Sequence, residues 1–234
     1  MAETRAAISR SVRSASARRA SSVRDRSSWS TRPALAMATV VAYPHLPATI
    51  PTHWNLHNEA NGYSPKWMLF VLGPGFMVAM MLLMRALPWL SPKNFEVDSF
   101  RTTYLQIMLM LVCMAAYFQL LVLWAGLGHA MNIGKAIVGG VCLVIALLGN
   151  LMGKVRRNFY VGIRTPWTIA SERVWNATHR FAAKTLVAAG LLGLLLTAMG
   201  LQGLPVMTIL LAGALVPAIY SLVFYKQLER RGEL

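Results

Sequence analysis

Five apolar runs of near-membrane length, approximately residues 67–90, 104–127, 135–152, 184–201 and 205–225, constrain this chain more than any other feature. A bilayer core of about 30 Å takes about 20 apolar helical residues, and each run approaches or exceeds that length with few charges. Lipid offers no partner to an unpaired backbone group, so such runs must be helices or strands of a closed barrel. The period-two alternation of barrel strands is absent, which leaves helices. Trp67, Trp89, Tyr104, Trp124 and Tyr225 fall near the run ends, where amphipathic rings prefer the headgroup level. Only 13% of the 234 residues are charged, against about 25% in an average soluble domain. The expected fold is an all-α integral membrane protein, a polytopic helical bundle of five clear spans plus a short sixth, N-terminal one.

The net charge of +15 does not point to nucleic acid, because basic nucleic-acid-binding domains do not carry several such runs. It reads instead as topology, since cytoplasmic loops collect lysine and arginine. The connection after the third run holds Lys154, Arg156, Arg157, Arg164, Arg173, Arg180 and Lys184 against a single Glu172, and is expected inside. Counting spans outward places Arg85, Lys93 and Arg101 inside with the tail residues Lys226, Arg230 and Arg231, and His129 outside. Residues 1–32, with eight arginines against Glu3 and Asp25, then require a sixth span to lie inside. Residues 33–46, PALAMATVVAYPHL, are the candidate, short at 14 residues and with a proline near each end. With that span, 21 of the 23 basic residues lie inside, and Lys66 and Lys135 lie outside. The organisation expected is a disordered Arg/Ser-rich tail at 1–32, similar in composition to a transit peptide, and a first membrane unit at 33–103. A second membrane domain follows at 104–225 with a cytoplasmic loop at 154–183, then a basic tail at 226–234.

Two connections carry more detail than topology needs. Outside, YPHLPATIPTHWNLHNEANGYSPK has four prolines and the turn-forming pairs His57-Asn58 and Asn61-Gly62, which predicts an ordered loop or short hairpin. His53 and His57 would share a helix face as metal ligands, but the prolines argue against that helix, and no metal or other cofactor is expected. Cys113 and Cys142 sit inside apolar runs and read as small buried hydrophobes. Inside, NFYVGIRTPWTIASERVWNATHR predicts a helix start, with Thr165 as N-cap and Pro166 at the first helical position. Trp167, Val174, Trp175, Thr178 and Phe181 recur at near-helical spacing, which predicts an amphipathic helix lying on the inner membrane surface. Arg164, His179 and Arg180 could form a surface for an anionic or peptide partner. Gln119, Asn150 and Gln202 are read as helix-packing residues, and the glycines at 139, 140, 149, 153, 190 and 193 as points of close helix approach. No acid/base constellation, GxSxG or HExxH pattern occurs, so no catalytic residues and no enzyme are expected.

Together the two connections resemble the SdpI family, immunity proteins for a sporulation-delaying peptide toxin. LPATIPTHWNLHNEANGYSPK is similar to the domain of unknown function at the N-terminus of many members, and GNLMGKVRRNFYVGIRTPWTIASERVWNATHR to the family signature. The resemblance covers about residues 43–225. In the outer loop it carries over Pro47, Pro51, His53, Trp54, Asn55, Gly62, Tyr63 and Lys66. In the inner loop it carries over Gly149, Asn150, Met152, Gly153, Lys154, Asn158, Gly162, Ile163, Arg164, Thr165, Pro166, Trp167, Thr168, Trp175, Thr178, His179 and Arg180. Asn58 stands where the family usually has glycine, Arg157 where many members have proline, and Ala182-Ala183 where a glycine is expected. The resemblance implies a multi-pass protein of the bacterial inner membrane, both termini cytoplasmic, that protects its cell against a membrane-active peptide toxin. It also implies signalling through a transcriptional repressor held at the membrane. The partners expected are the lipid bilayer, a peptide toxin outside and a repressor inside, with no nucleic acid. The alternative is a small-solute or lipid transporter, or a membrane-stress factor.

Overall fold

The computed structural model describes residues 37–55, 59–90 and 97–234. Backbone contacts divide the chain into Met1–Pro44 and His45–Leu234. In the first unit, residues 37–42 are helical. The expected tail at 1–32 and residues 33–36 of the short span lie outside the described residues, as do His57, Asn58 and Lys93.

The second unit opens on an antiparallel hairpin, β1 (Thr49–Trp54) and β2 (Ala60–Pro65). Pro51 pairs with Tyr63 and His53 with Gly62, and the register is irregular on both sides of His53. Five helices long and apolar enough to cross a membrane are found among the described residues. These are α1 (Met68–Ala86), α2 (Arg101–Gly126), α3 (Ile133–Met152), α5 (Glu172–Ala198) and α6 (Leu204–Arg230). A single-turn helix, α4 (Pro166–Ala170), sits before α5. Each span covers one apolar run; four have ends shifted by five residues or fewer, and α5 starts twelve residues before its run.

In α1, Pro74 offers no N–H, and residues Val71–Gly75 widen into a π-turn. Gln119 of α2 enters this irregularity and donates from Nε2 to the Leu69 carbonyl at 3.1 Å. A Cβ at Gly73 would meet Gln119 Cδ at 2.3 Å, so the glycine is what admits the amide. Tyr104 Oη donates to the Met84 carbonyl, and Tyr117 Oη to that of Ala136, each at 2.8 Å. Such bonds join helices where burial of apolar surface alone gives little preference over lipid. α3 and α5 pack backbone to backbone: a Cβ at Gly190 would lie 2.6 Å from both Ala146 N and Cys142 O, and one at Gly149 would lie 2.8 Å from Val187 N.

Several expectations are corrected. The interfacial helix and the span at 184–201 are one continuous helix, α5, because nothing after Ser171 breaks the chain before Ala198. Its buried side runs unbroken from Val174, Trp175 and Thr178 through Ala182, Leu186 and Ala189. The helix is therefore packed from its first turn and does not lie on a membrane surface. Cys142 is buried, but Cys113 is exposed on α2. Asn150 is exposed and Gln202 lies in the turn before α6, so of the three polar residues only Gln119 joins two helices. A Cβ at Gly139 would meet nothing within 4 Å, so no close approach occurs there.

Candidate functional site

The connection between α3 and α5 closes over an apolar cluster of Val97, Phe100, Tyr104, Ile107, Leu151, Val155 and Trp175. Trp175 is fully buried and donates from its indole Nε1 to the Val155 carbonyl at 2.8 Å, which ties the first turn of α5 to the chain leaving α3. The cluster is the floor on which the loop is built.

Asn158 organises the turn from Arg156 to Val161. Its Oδ1 accepts from the Tyr160 and Val161 N–H groups, both at 2.7 Å, and its Nδ2 donates to the Arg156 and Val161 carbonyls at 2.8 and 2.9 Å. The side chain is wholly buried and uses both its donors and both acceptor sites, as an amide must when water is excluded. Gly162 follows with φ +116°, a region that favours glycine. A Cβ there would also lie 2.3 Å from His179 Nε2.

His179, stacked on Trp175 with centroids 4.1 Å apart, accepts the Ile163 N–H at Nε2 over 3.0 Å. Nε2 must then be unprotonated, so Nδ1 carries the proton and donates to the Trp175 carbonyl at 2.8 Å. The ring is a neutral crosslink between loop and helix. It is 1% exposed, so it forms no part of a partner-binding surface with Arg164 and Arg180.

Thr165 caps α4 as expected from the Thr-Pro pair. Its Oγ1 accepts the Thr168 N–H at 3.2 Å, and Thr168 Oγ1 accepts the Thr165 N–H at 3.0 Å, a reciprocal capping box with Pro166 at the helix start. Thr168 passes its own proton to the Ile163 carbonyl at 2.8 Å. Ser221 of α6 donates to the Ala218 carbonyl at 2.6 Å, and its Oγ lies 3.0 Å from Thr165 Oγ1. Arg157 reaches the Ile169 carbonyl at 3.1 Å, and the exposed Arg164 guanidinium reaches the Phe159 carbonyl. Trp167 is half-buried and Pro166 exposed. Thr178 is buried, and its hydroxyl has no hydrogen-bond partner among the described residues.

The structure thus gathers Asn158, Gly162, Thr165, Trp175 and His179 into one polar framework and leaves Arg164 and Arg180 at its surface. Ser221 does not stand out in the sequence; Thr208 and Ser221 are the only serine or threonine residues in the run at 205–225, a weak signal of packing.

At the other end of α2 the hairpin is knit by its own side chains. His53 Nδ1 lies 2.6 Å from Asn61 Oδ1, Thr52 and Ser64 hydroxyls are 3.0 Å apart, and Asn55 brackets Glu59 through its Nδ2 and Oδ1 at 2.8 and 2.9 Å. Lys66 Nζ donates to the Leu46 carbonyl at 3.1 Å. Gly62 has no room for a Cβ, which would lie 2.8 Å from that of His53. Ile50 is buried within reach of Gly126, seating the hairpin on the end of α2, while Tyr63 is left exposed. His53 is in a strand, so the four-residue helical spacing to His57 does not apply to it.

Residues 154–224 match the SdpI/YfhL protein family, and residues 34–78 match a domain of unknown function (DUF1648). This chain carries an SdpI-family region. It is also similar to the protein named Immunity protein SdpI of Bacillus subtilis (strain 168), 29% identical over 195 residues, which is 82% of this chain and 91% of that protein. No solved structure matches the chain. The matched region begins at Lys154, the second residue of the connection, and ends inside α6 just past Ser221, so it takes in the loop, the buried histidine of α5 and the helix to which Thr165 is bonded.

Proposed function

We propose that the chain is a membrane immunity and signal-transduction protein of the SdpI type, protecting its cell against a membrane-active peptide toxin. The observation that carries this is the similarity to Immunity protein SdpI over nine-tenths of that protein's length, in a chain whose 154–171 connection is a buried, hydrogen-bonded framework. A loop serving only to hold charge on one side of a membrane has no need of an amide with four bonds or a histidine crosslink. In this reading the protein sits in a bacterial inner membrane with both termini cytoplasmic, supported by the bias of its basic residues. The hairpin, through Pro51, His53, Trp54, Asn55, Gly62, Tyr63 and Lys66, faces outward and meets the toxin. The connection faces inward, where Arg164 and the half-buried Trp167 are the groups presented to a repressor. The role is non-enzymatic.

The test is expression in a host sensitive to membrane-active peptides, followed by challenge across a panel of them. Survival above the empty-vector control on at least one peptide is expected. Sensitivity to every peptide, with the protein present in the membrane fraction, would sink the proposal. Arg164→Ala should retain membrane insertion and fold while losing signalling, because the side chain is exposed and, among the described residues, bonds only to the Phe159 carbonyl.

A further inference from the structure

Two depressions adjoin at the end of the bundle that carries the connection. One, about 450 Å³, lies between the start of α2 and the end of α3, and the other, about 530 Å³, lies between the end of α3 and the first turns of α5. They share Gly153 and Arg156, so they form one trough. Its walls present Arg101, Lys154, Arg156 and Arg180, with Glu172 as the one acid lining it among the described residues; Arg173 also borders it but is paired with Glu233 at 2.7 Å. Lys154, Arg156 and Arg180 are exposed, and no ion pair neutralises them among the described residues.

The trough continues into apolar surface. On α2, Arg101 is followed one and two turns on by Leu105 and Leu109, 54% and 40% exposed. On α5, Arg180 and Lys184 are followed along one face by Ala188, Leu191 and Leu195, all exposed. On α3, Leu143 and Leu147 are exposed below Gly153. Each helix thus offers cations where the span ends and exposed leucines along the span.

We propose that this trough binds the phosphodiester headgroup of an anionic phospholipid, with the acyl chains lying along the leucine faces of α2, α3 and α5. Cations grouped at the end of a span and apolar side chains beneath them match both parts of such a lipid, and basic pockets between membrane helices are suited to these headgroups. A soluble phosphate would use the cations but not the leucines. An acidic protein segment would need a surface extending away from the membrane, whereas this one extends into it. The inference rests on the spans and the trough and is independent of immunity.

The experiment is native mass spectrometry of the full chain in zwitterionic micelles, titrated with phosphatidylglycerol or with phosphatidylcholine of the same acyl chains. Phosphatidylglycerol should be retained roughly tenfold better. The double variant Arg156→Gln/Arg180→Gln should lose most of that preference, about five- to tenfold in phosphatidylglycerol retention. Phosphatidylcholine retention and thermal unfolding in micelles should be unchanged, and Arg156→Lys/Arg180→Lys should retain the lipid, since the point charge is kept. Equal retention of the two lipids, or an unaffected glutamine variant, overturns the proposal. So does displacement by millimolar inorganic phosphate, which would indicate a soluble-anion site, or by polyglutamate at equal charge, which would indicate a protein-docking surface.

Discussion

At the residue scale, His179 and Gly162 are two halves of one contact. Gly162→Ala places a methyl group against the imidazole in a backbone conformation that disfavours it, and should lower the unfolding temperature in micelles by the equivalent of about 2 kcal/mol or more. His179→Phe keeps the stack on Trp175 but leaves the Ile163 N–H unpaired, at a cost of about 1–3 kcal/mol, read by the same melt. Thr178→Val tests the opposite case. The hydroxyl is buried and has no partner among the described residues, so the isosteric exchange should leave stability equal or higher, and a loss of more than about 1 kcal/mol would show that the hydroxyl has a partner. Thr165 is legible in the sequence because a cap and its helix are three residues apart. His179 stands out there for the wrong reason: its partner Ile163 is 16 residues away across a loop, and nothing in a histidine among arginines signals a neutral, buried ring.

At the element scale, the length of apolar runs is enough to count the described spans, since hydrocarbon thickness sets that length directly. The character of α5 is not legible. Arginine at 173 and 180 suggests a surface helix, but a helix obeys its chain continuity before its charges, and both arginines can sit at the headgroup level while their neighbours Trp175 and His179 are buried. Amide hydrogen exchange should therefore show one protected segment from about Val174 to the turn at Met199, where a hinge near residue 182 would show two. In α1, the π-turn at Pro74 depends on Gly73. Gly73→Leu would expel the Gln119 amide from its place beneath Leu69, and should weaken α1 against α2 by about 1–2 kcal/mol, detectable as easier proteolysis at the α1 end.

At the scale of the whole molecule, the described spans leave two chemically different ends. One gathers the 97–101 turn, the 154–171 connection and the C-terminal residues, joined by the Arg173–Glu233 pair. The other gathers the hairpin, the α2–α3 turn and the α5–α6 turn, where Lys135 Nζ donates to the Ala198 carbonyl. With Cys113 and Cys142 replaced, single cysteines at 129 and 170 should label from opposite faces of sealed vesicles, with 170 reached only from the cytoplasmic side. Equal labelling at both positions would remove the topology proposed. The bond from Thr165 to Ser221 also makes α6 a lever arm. Ser221 lies 17 residues, about 25 Å, along the helix from Leu204. A tilt of about 5° pivoting at Leu204 would carry Ser221 some 2 Å sideways, further than a 3.0 Å hydrogen bond can stretch. A small rocking of the last helix at the hairpin end of the protein is thus read at the connection as a bond made or broken.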